Sequence, residues 1–351
     1  MSERHPFSDI SWKVSEPEYR ADPALSYSTL SRFESNGRFR SLSTLEEKIS
    51  TPSLIFGSIV DALMTGGYGE FEELFFIGDM PELSESLEEV ARALFAKYGD
   101  RCMFDSIPNV ALSQTGEECN YYAGKKYDNY RIKLIKENCK TMYNLLILSR
   151  GKTLISQRDY DDAVKCKEAF LESPYTSWYF KESEDGDTEN YYQLKFKNTD
   201  KYTHIEYRSM ADLIKVVHSE KIVFSCDVKT SSKPEEQFFK SFLQYNYNLQ
   251  SRNYWRLIRA AMDADPYYKD FKLADYRFLV VNRNTLTPMA WLDNKTQVTG
   301  TVTYKTQSGH TYKVRDPYEI GLELTRYRNE QPKYPFEAKA LNNITTCIEE
   351  S

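Results

Sequence analysis

Residues 204–230 have the sequence HIEYRSMADLIKVVHSEKIVFSCDVKT. Two apolar runs, 211–217 and 221–228, lie on either side of the polar tripeptide HSE. Short alternating runs rich in Val and Ile around a polar turn are typical of an antiparallel strand pair. The stretch therefore predicts a β-hairpin, and the rest of the chain is expected to be organised around it.

Three charged residues give this hairpin its chemical interest. Asp212 belongs to the first strand, and Asp227 and Lys229 lie two residues apart near the end of the second. Because side chains alternate between the two faces of a strand, Asp227 and Lys229 are expected on one face, and Cys226 and Val228 on the other. The hairpin is thus predicted to bring two carboxylates and an ammonium group together.

Such a cluster predicts a divalent cation, because charges at the edge of a core lose hydration unless something binds them. Asp212, Asp227 and the backbone carbonyl of Val228 supply hard oxygen ligands, which suit Mg²⁺, with Mn²⁺ as a substitute. Lys229 could then orient an attacking water or stabilise negative charge on a phosphoryl oxygen. The alternative is a surface hairpin in which Asp and Lys simply pair in solvent.

A helical segment follows the hairpin and carries YNLQSRNY over residues 247–254. Together with MADLI at 210–214 and CDVKT at 226–230, this arrangement resembles the PD-(D/E)xK nuclease superfamily. The likeness is to its RecE-type, exodeoxyribonuclease VIII-like branch from phages and prophages. In that family an Asp on one strand, a D/E-x-K on the next and a helix bearing Y-x-x-Q-x-x-x-Y form the active site.

The resemblance implies an α/β fold with a restriction-endonuclease-like central mixed sheet, flanked by helices and carrying helical insertions. It also implies a Mg²⁺-dependent DNA nuclease, a 5′–3′ double-strand exonuclease acting in phage-type recombination or DNA processing. Gln250 would approach the attacking water or the scissile phosphate, and Tyr254 would contact DNA or brace the lysine. Tyr247 is interpreted as a core residue, as aromatic residues at helical spacing usually are.

Two other functions stay open at this point. The chain could be a nuclease fold that has lost catalysis and still binds DNA ends or a recombination partner. It could also be a protein unrelated to nucleic acids, in which D-x-K is incidental. The net charge of −6 favours the second of these, since broad nucleic-acid binders are usually basic.

Residues 54–65 predict an apolar helix with one acid, Asp61. Relatives carry G-S-x-x-H here, and their His is a metal ligand, whereas this chain has Asp at that position. The resemblance implies Asp61 as a third ligand, because a carboxylate also binds Mg²⁺. The alternative is an acid at the rim of a helix that faces solvent.

Basic residues predict contacts to DNA in two places. A long helix is expected over 121–148, and its Lys125, Lys126 and Lys133, together with Arg131, could follow a phosphate backbone while interleaved tyrosines stack on bases. Ser231 and Lys233, directly after D-x-K, are the other candidates. The alternative for the helix is a solvated basic face.

Other parts of the chain carry weaker signals. Residues 85–98 are interpreted as an amphipathic helix, residues 100–120 as loop, and residues 235–262 as one helix whose Arg252 and Arg256 are solvent charges. Glu189 resembles an acid that relatives place before the catalytic hairpin, although a plain charge on an edge strand explains it equally well.

Composition excludes several classes of protein. None of the runs approaches the ~20 apolar residues of a membrane span, and the polar N-terminus does not resemble a signal peptide. A cytoplasmic protein is expected, in the host cytoplasm if the chain is phage-encoded. The six cysteines are scattered, which predicts reduced thiols and no iron–sulfur cluster. The sequence lacks a P-loop, so ATP is not expected as a cofactor.

The 351 residues contain no internal repeat or low-complexity linker. We expect an irregular N-terminal arm over 1–25, one nuclease-like domain over 26–330 and a C-terminal tail over 331–351. Within the domain, residues 82–174 would be a helical insertion and 189–295 the catalytic core. The expected partners are double-stranded DNA ends, a single-strand annealing protein and a second copy of the chain, with no membrane contact.

Overall fold

A computed structural model describes residues 3–36, 51–306 and 308–330. The chain divides into two compact units, one comprising residues 1–57 and 166–351 and the other residues 58–165. The single domain expected over 26–330 stays a prediction, and the expected tail lies outside the described residues.

The fold is mixed α/β. In chain order the described α-helices are α1 Glu16–Ala21, α2 Tyr27–Asn36, α3 Pro52–Thr65, α4 Gly67–Leu74, α5 Glu85–Tyr98, α6 Asn109–Glu118, α7 Asp128–Ser149, α8 Gln157–Glu172, α9 Ser177–Phe180, α10 Phe238–Gln244, α11 Tyr247–Ala264 and α12 Pro317–Glu330. The strands are β1 Phe75–Ile77, β2 Thr153–Ile155, β3 Thr188–Thr199, β4 Glu206–Val217, β5 Ile222–Ser231, β6 Lys272–Leu273, β7 Arg277–Asn282, β8 Pro288–Leu292, β9 Val302–Lys305 and β10 Thr311–Val314.

A six-stranded mixed sheet forms the centre of the first unit. Its strand order is β3-β4-β5-β7-β8, and β6 also pairs with β5. The β3–β4, β4–β5 and β7–β8 pairs are antiparallel, whereas β5 runs parallel to β6 and β7. The predicted hairpin is confirmed: β4 and β5 pair from Val217↔Ile222 to Leu213↔Cys226. The expectation of a mixed sheet is confirmed with it.

The alternation of side chains between the two faces of the sheet is interrupted part-way along strands β3 and β4. Phe7 contacts both Tyr191 and Phe196 on β3, at ring-centroid distances of 6.2 and 6.4 Å, although these two residues are five positions apart in the strand. A regular strand would place these two side chains on opposite faces. The change falls at Gln193, whose φ of 52° is in the left-handed region, and the β3–β4 register skips Gln193 and Asp212 together. The distortion therefore marks the candidate metal-ligand position on β4.

The main core lies between this sheet and α11. Leu249, Leu257 and Ile258 of the helix are buried against Ile214 of β4 and Val223 of β5. The helix is amphipathic, so its apolar side packs on the sheet. Because α11 crosses the strands that carry the charged residues, its polar side chains on the same side also face the sheet.

The N-terminal residues are not irregular as expected. Phe7–Ile10 form a 3-10 turn, and Phe7 is fully buried in the main core. Helix α1 begins with a capping box, in which Ser15 accepts a hydrogen bond from the Glu18 amide and the Glu18 side chain bonds back to Ser15. Local capping satisfies the backbone amides at the start of this short helix. The expectation of an irregular arm rested on the prolines and overlooked this capping box.

The helix expected over 235–262 is interrupted. Helix α10 ends before Tyr245, and Asn246 adopts a left-handed conformation with φ 55° before α11 starts at Tyr247. Asn246 is held by its side-chain amide, which donates to the hydroxyl groups of Ser31 and Ser35. Asn tolerates this backbone conformation better than most residues, so the break occurs there.

The second unit is largely helical. Its core forms where α5, α6 and α7 pack together, with Leu94, Leu112, Ile135 and Tyr143 buried. Strands β1 and β2 pair in parallel beside it. The expected helix over 85–98 is confirmed, and Ser84 caps it by accepting from the Leu87 amide.

Two expectations for this unit are wrong. Residues 100–120 are not all loop, because α6 spans Asn109–Glu118. The long helix begins at Asp128 rather than at 121, and a left-handed Tyr122 and Gly124 (φ 106°) precede it. A left-handed backbone cannot continue an α-helix, so residues 121–127 lie outside the helix.

Within the described parts of the chain, none of the helices combines the length and hydrophobicity that crossing a bilayer requires.

Candidate functional site

Asp227 is the centre of the candidate site. It lies on β5 with only 1% of its surface exposed. Gln250 of α11 donates a hydrogen bond from Nε2 to Asp227 Oδ1, and Lys229 Nζ lies 2.5 Å from Asp227 Oδ2. The two-residue spacing of a strand places Asp227 and Lys229 on one face, as the sequence predicts, and that face is the one α11 covers.

Lys229 is held as a cation. Burial by itself lowers the pKa of its ammonium group, but the attraction of Asp227, followed by Tyr247 and Asp212, raises that pKa well above its ordinary value. The side chain is 23% exposed, so it keeps access to solvent. A positive charge with partial access can contact an anionic ligand.

The aromatic ring beside Lys229 belongs to Tyr247. The Lys229 ammonium lies 5.3 Å from the Tyr247 ring centroid, within the range of a cation–π contact. Tyr247 also stacks on Phe278 at 5.5 Å, in agreement with its interpretation as a core residue, but its contact with Lys229 was not predicted. The resemblance had implied Tyr254 as the residue that contacts DNA or braces the lysine, whereas the ring beside Lys229 is that of Tyr247.

Tyr254 lies deeper on the same helix. It is 8% exposed and packs edge-on against Tyr276 at 6.0 Å. Burial raises the pKa of both tyrosines well above the ordinary value, and the charges of Asp227 and Asp212 raise both further. The two carboxylates therefore act on the same pair of phenols. A DNA contact by Tyr254 stays a prediction.

Asp212 approaches this cluster from β4. Its Oδ2 accepts a hydrogen bond from the backbone amide of Val228 at 2.9 Å. The β4–β5 pairs end at Leu213↔Cys226, so the carboxylate replaces a backbone partner where the ladder stops. Asp212 is thereby fixed beside the segment that carries Asp227 and Lys229, and the Val228 carbonyl belongs to the same segment.

Several buried polar atoms around Asp227 lack a hydrogen-bond partner. They include Gln250 Oε1 and Tyr276 Oη. Tyr276 is fully buried and directly precedes β7, where the sequence showed nothing beyond a strand signal. Buried polar groups are nearly always satisfied in native proteins, so unsatisfied ones call for a ligand, ion or water. Tyr276 is the residue that the sequence reasoning missed.

Asp61 belongs to the second unit, on α3. It is half-buried, and its backbone carbonyl accepts a hydrogen bond from Thr65 Oγ1 at 2.9 Å. Among residues 3–36, 51–306 and 308–330, groups of three or more His, Cys, Asp or Glu side chains that could hold a metal ion are absent. A metal-ligand role for Asp61 stays a prediction.

Of the DNA-binding candidates in the first unit, Lys233 has a local partner. Its ammonium donates to Gln244 Oε1 at 2.8 Å, and its backbone amide donates to Ser231 Oγ at 3.0 Å. These bonds shape the chain as it leaves β5. A role in binding DNA is untested for both residues.

The basic candidates of the second unit fall into two groups. Lys125, Lys126 and Lys133 are exposed. Arg131 is fully buried, and its guanidinium donates to Ser113 Oγ at 2.7 Å. The expectation that Arg131 follows a phosphate backbone is therefore wrong, because its charge is used inside the unit.

Arg252 and Arg256 were also misassigned. Arg252 is fully buried, and both guanidinium groups bond to Asp316, at 2.8 and 2.5 Å. The arginines thus join α11 to the segment that precedes α12. They are structural ion pairs and not solvent charges.

Glu189 lies at the other end of the sheet. It pairs across strands with Val216, next to the β4–β5 turn, and its carboxylate contacts His218 Nε2 at 3.2 Å and Arg4 at 2.6 Å. Strand residues rise ~3.4 Å each, so the four residues from Val223 to Asp227 put Glu189 more than ~10 Å from Asp227 along the sheet. The resemblance to a catalytic acid does not hold at this position.

A scan against models of protein families and a search of curated proteins both find no match for this chain. The geometry of the site is therefore the basis for its proposed function.

Proposed function

We propose that the chain is a divalent-metal-dependent deoxyribonuclease with a restriction-endonuclease-like core, acting as a 5′–3′ exonuclease on double-stranded DNA ends. One observation carries the proposal: a buried carboxylate, Asp227, meets Lys229 from its own strand and Gln250 from the facing helix. Asp212 is fixed beside them by the hydrogen bond that its carboxylate accepts from the Val228 amide. This is a carboxylate, amine and amide combination suited to phosphodiester hydrolysis.

The residues fit a hard cation. Asp212, Asp227 and the Val228 carbonyl are oxygen donors on neighbouring strands, and Gln250 Oε1 is buried without a partner. Oxygen ligands of this kind suit Mg²⁺ or Mn²⁺. When bound there, the ion would supply Lewis-acid activation of the phosphate.

Lys229 and Gln250 would perform the remaining chemistry. The ammonium of Lys229 stays protonated because its pKa is raised, so it can stabilise negative charge that develops on a phosphoryl oxygen. Tyr247 and Asp227 hold that ammonium in place. Gln250 is anchored to Asp227 through its amide nitrogen, which leaves its carbonyl oxygen to accept a hydrogen bond from an attacking water.

The test uses end-labelled linear duplex DNA and a closed circular duplex of the same sequence. The parent protein should degrade the linear DNA with Mg²⁺, not with EDTA, and should spare the circle. Asp227→Asn should degrade the linear DNA about 10²–10³-fold more slowly than the parent and should also spare the circle. Asp263→Asn is the matched control, since Asp263 is an exposed carboxylate on α11. If Asp227→Asn were as fast as the parent, the proposed site would be wrong.

A second candidate is a DNA-end-binding module without catalysis. It is favoured by the lack of a third acid or His grouped with the two aspartates in the described residues, and by the engagement of both Asp227 oxygens. A module of this kind would bind linear duplex in EDTA and in Mg²⁺ alike. It would give no product at any Mg²⁺ or Mn²⁺ concentration.

A further inference from the structure

Three tyrosines of the second unit form an exposed aromatic surface, named here the tyrosine patch: Tyr122, Tyr127 and Tyr130. They are 43, 36 and 50% exposed. Tyr122 packs edge-to-face against Tyr130 at 5.1 Å and against Tyr127 at 5.8 Å. Single exposed aromatic residues are ordinary on a protein surface, whereas contiguous ones mark interaction sites.

The patch is held by a buried ion. Arg131, fully buried, donates to the Tyr122 carbonyl and also bonds to Asp128 Oδ1 at 2.6 Å and Ser113 Oγ at 2.7 Å. Tyr122 itself has φ 45°, a left-handed conformation that costs roughly 1–2 kcal/mol for a non-glycine residue. The surrounding bonds thus maintain a strained backbone that turns an aromatic ring outward, which is a pattern typical of binding sites.

Positive charge accompanies the rings. The Lys126 ammonium lies 4.7 Å from the Tyr127 ring centroid, and Lys125 is exposed beside it. Lys133 is also exposed, and its ammonium lies 3.9 Å from Glu137. Rings with adjacent ammonium groups complement a ligand that has flat π-systems and regularly spaced anions.

We propose that the tyrosine patch binds single-stranded DNA, with unpaired bases stacking on Tyr122 and Tyr130 and phosphates contacting Lys125 and Lys126. Exposed rings select a single strand, because the faces of bases in a duplex are already stacked on each other. The choice of DNA over RNA rests on the proposed function, since an exonuclease that degrades one strand of a duplex leaves the other unpaired.

The experiment measures the fluorescence anisotropy of a labelled oligo-dT with the full-length protein. EDTA is present, so that the DNA is bound without being cleaved. Replacing Tyr122 and Tyr130 together by Ala should weaken binding by roughly 5- to 150-fold for each ring that stacks on a base. The double Phe variant should bind like the parent, because it keeps both rings. Circular dichroism should show that both variants fold.

Tyr202→Ala is the matched control. Tyr202 is 80% exposed and has a lysine ammonium 4.8 Å from its ring centroid, but it lies in the first unit. Its removal should leave binding unchanged. Equal loss from Tyr202→Ala, or no loss from the double Ala variant, would overturn the proposal.

Salt and competitors complete the test. Replacing Lys125 and Lys126 by Ala should flatten the plot of log affinity against log salt by about 1.4, since each phosphate contact to a single strand contributes ~0.7. Unlabelled oligo-dT should compete better than a duplex of equal length. Duplex or RNA competing as well as oligo-dT, or no binding of oligo-dT at all, would contradict a single-stranded DNA site.

The two proposals can fail separately. Loss of binding in the double Ala variant combined with no Mg²⁺-dependent cleavage by the parent would support the patch and reject the nuclease. Mg²⁺-dependent cleavage by the parent, combined with unchanged oligo-dT binding by the double Ala variant, would support the nuclease and reject the patch.

Discussion

Asp227 and Asp316 are both buried carboxylates that bond to side chains of α11, yet their surroundings differ. Asp316 accepts hydrogen bonds from both arginines and from two backbone amides, those of Gly300 and Tyr318 at 2.8 Å each. Asp227 accepts from one amide and faces one partly exposed lysine, close to buried oxygens that lack partners.

The difference separates a structural ion pair from a candidate reactive site. A buried charge is stable when its partners satisfy it fully, and then it has nothing left for a ligand. Burial raises the pKa of Asp316, but the bonds and charge of Arg256 lower it below its ordinary value, so the carboxylate stays ionised. Around Asp227, polar groups are assembled without being satisfied, as is common where ligands bind.

The largest expected effect concerns the satisfied cluster. Asp316→Asn should lower the free energy of unfolding by about 3–5 kcal/mol, because it leaves the buried Arg252 without its counter-charge. Urea denaturation followed by circular dichroism measures this change. A loss below ~1 kcal/mol would show that the cluster is not structural.

The opposite pattern is expected at Asp227. Asp227→Asn should lower kcat by about 10²–10³-fold, as the removal of a transition-state contact does, while the unfolding free energy should fall less than in Asp316→Asn, because the charge left behind, Lys229, is partly exposed to solvent. The asparagine retains an acceptor for Gln250. Initial rates on linear duplex and urea denaturation check both halves. A variant that lost stability and activity together would erase the contrast with Asp316.

A pH titration sharpens the comparison further. The pKa of Asp316 is lowered below its ordinary value of 3.8, so the unfolded chain binds this proton more tightly than the folded one. The stability that Asp316 contributes is therefore present above pH 3.8 and is lost as pH falls through the lower folded value. The Tm of the parent should fall in this acid range, and the fall should be smaller in Asp316→Asn. Equal slopes in both proteins would contradict the ionised pair.

The smallest effect is expected at the ring beside Lys229. Tyr247→Leu should lower kcat by about 2- to 30-fold, since it removes a cation–π contact of ~0.5–2 kcal/mol. Tyr247→Phe keeps the ring and should retain nearly full activity. Single-turnover rates with saturating protein distinguish the two. Equal losses in both variants would point to the hydroxyl group instead of the ring.

Local patterns were enough for several elements. The alternation around the β4–β5 turn predicted the hairpin, and helix α5 was predicted over its observed span, Glu85–Tyr98, from apolar periodicity. The placement of Asp227 and Lys229 on one face follows from strand geometry alone. These features involve residues close together in the chain, so spacing specifies them.

Other features depended on contacts that spacing does not encode. Arg252 and Asp316 are 64 residues apart, and an arginine on a helix gives no sign of a distant partner. Tyr122 has a left-handed backbone, and its carbonyl accepts a hydrogen bond from Arg131. Helical periodicity does not show this contact, so the predicted start of α7 was too far towards the N-terminus. In both cases a buried arginine decided the structure, because its charge had to be satisfied from inside the fold.

By itself, the sequence determined the central hairpin and the alignment of a carboxylate and an amine along one strand, since these follow from the repeat of local backbone geometry. Only the tertiary structure decided that Gln250 meets Asp227 while Arg252 and Arg256 of the same helix meet Asp316. The physical reason is that a helix presents its polar side chains in several directions. Which of them is buried against which charge depends on how the helix packs on the sheet.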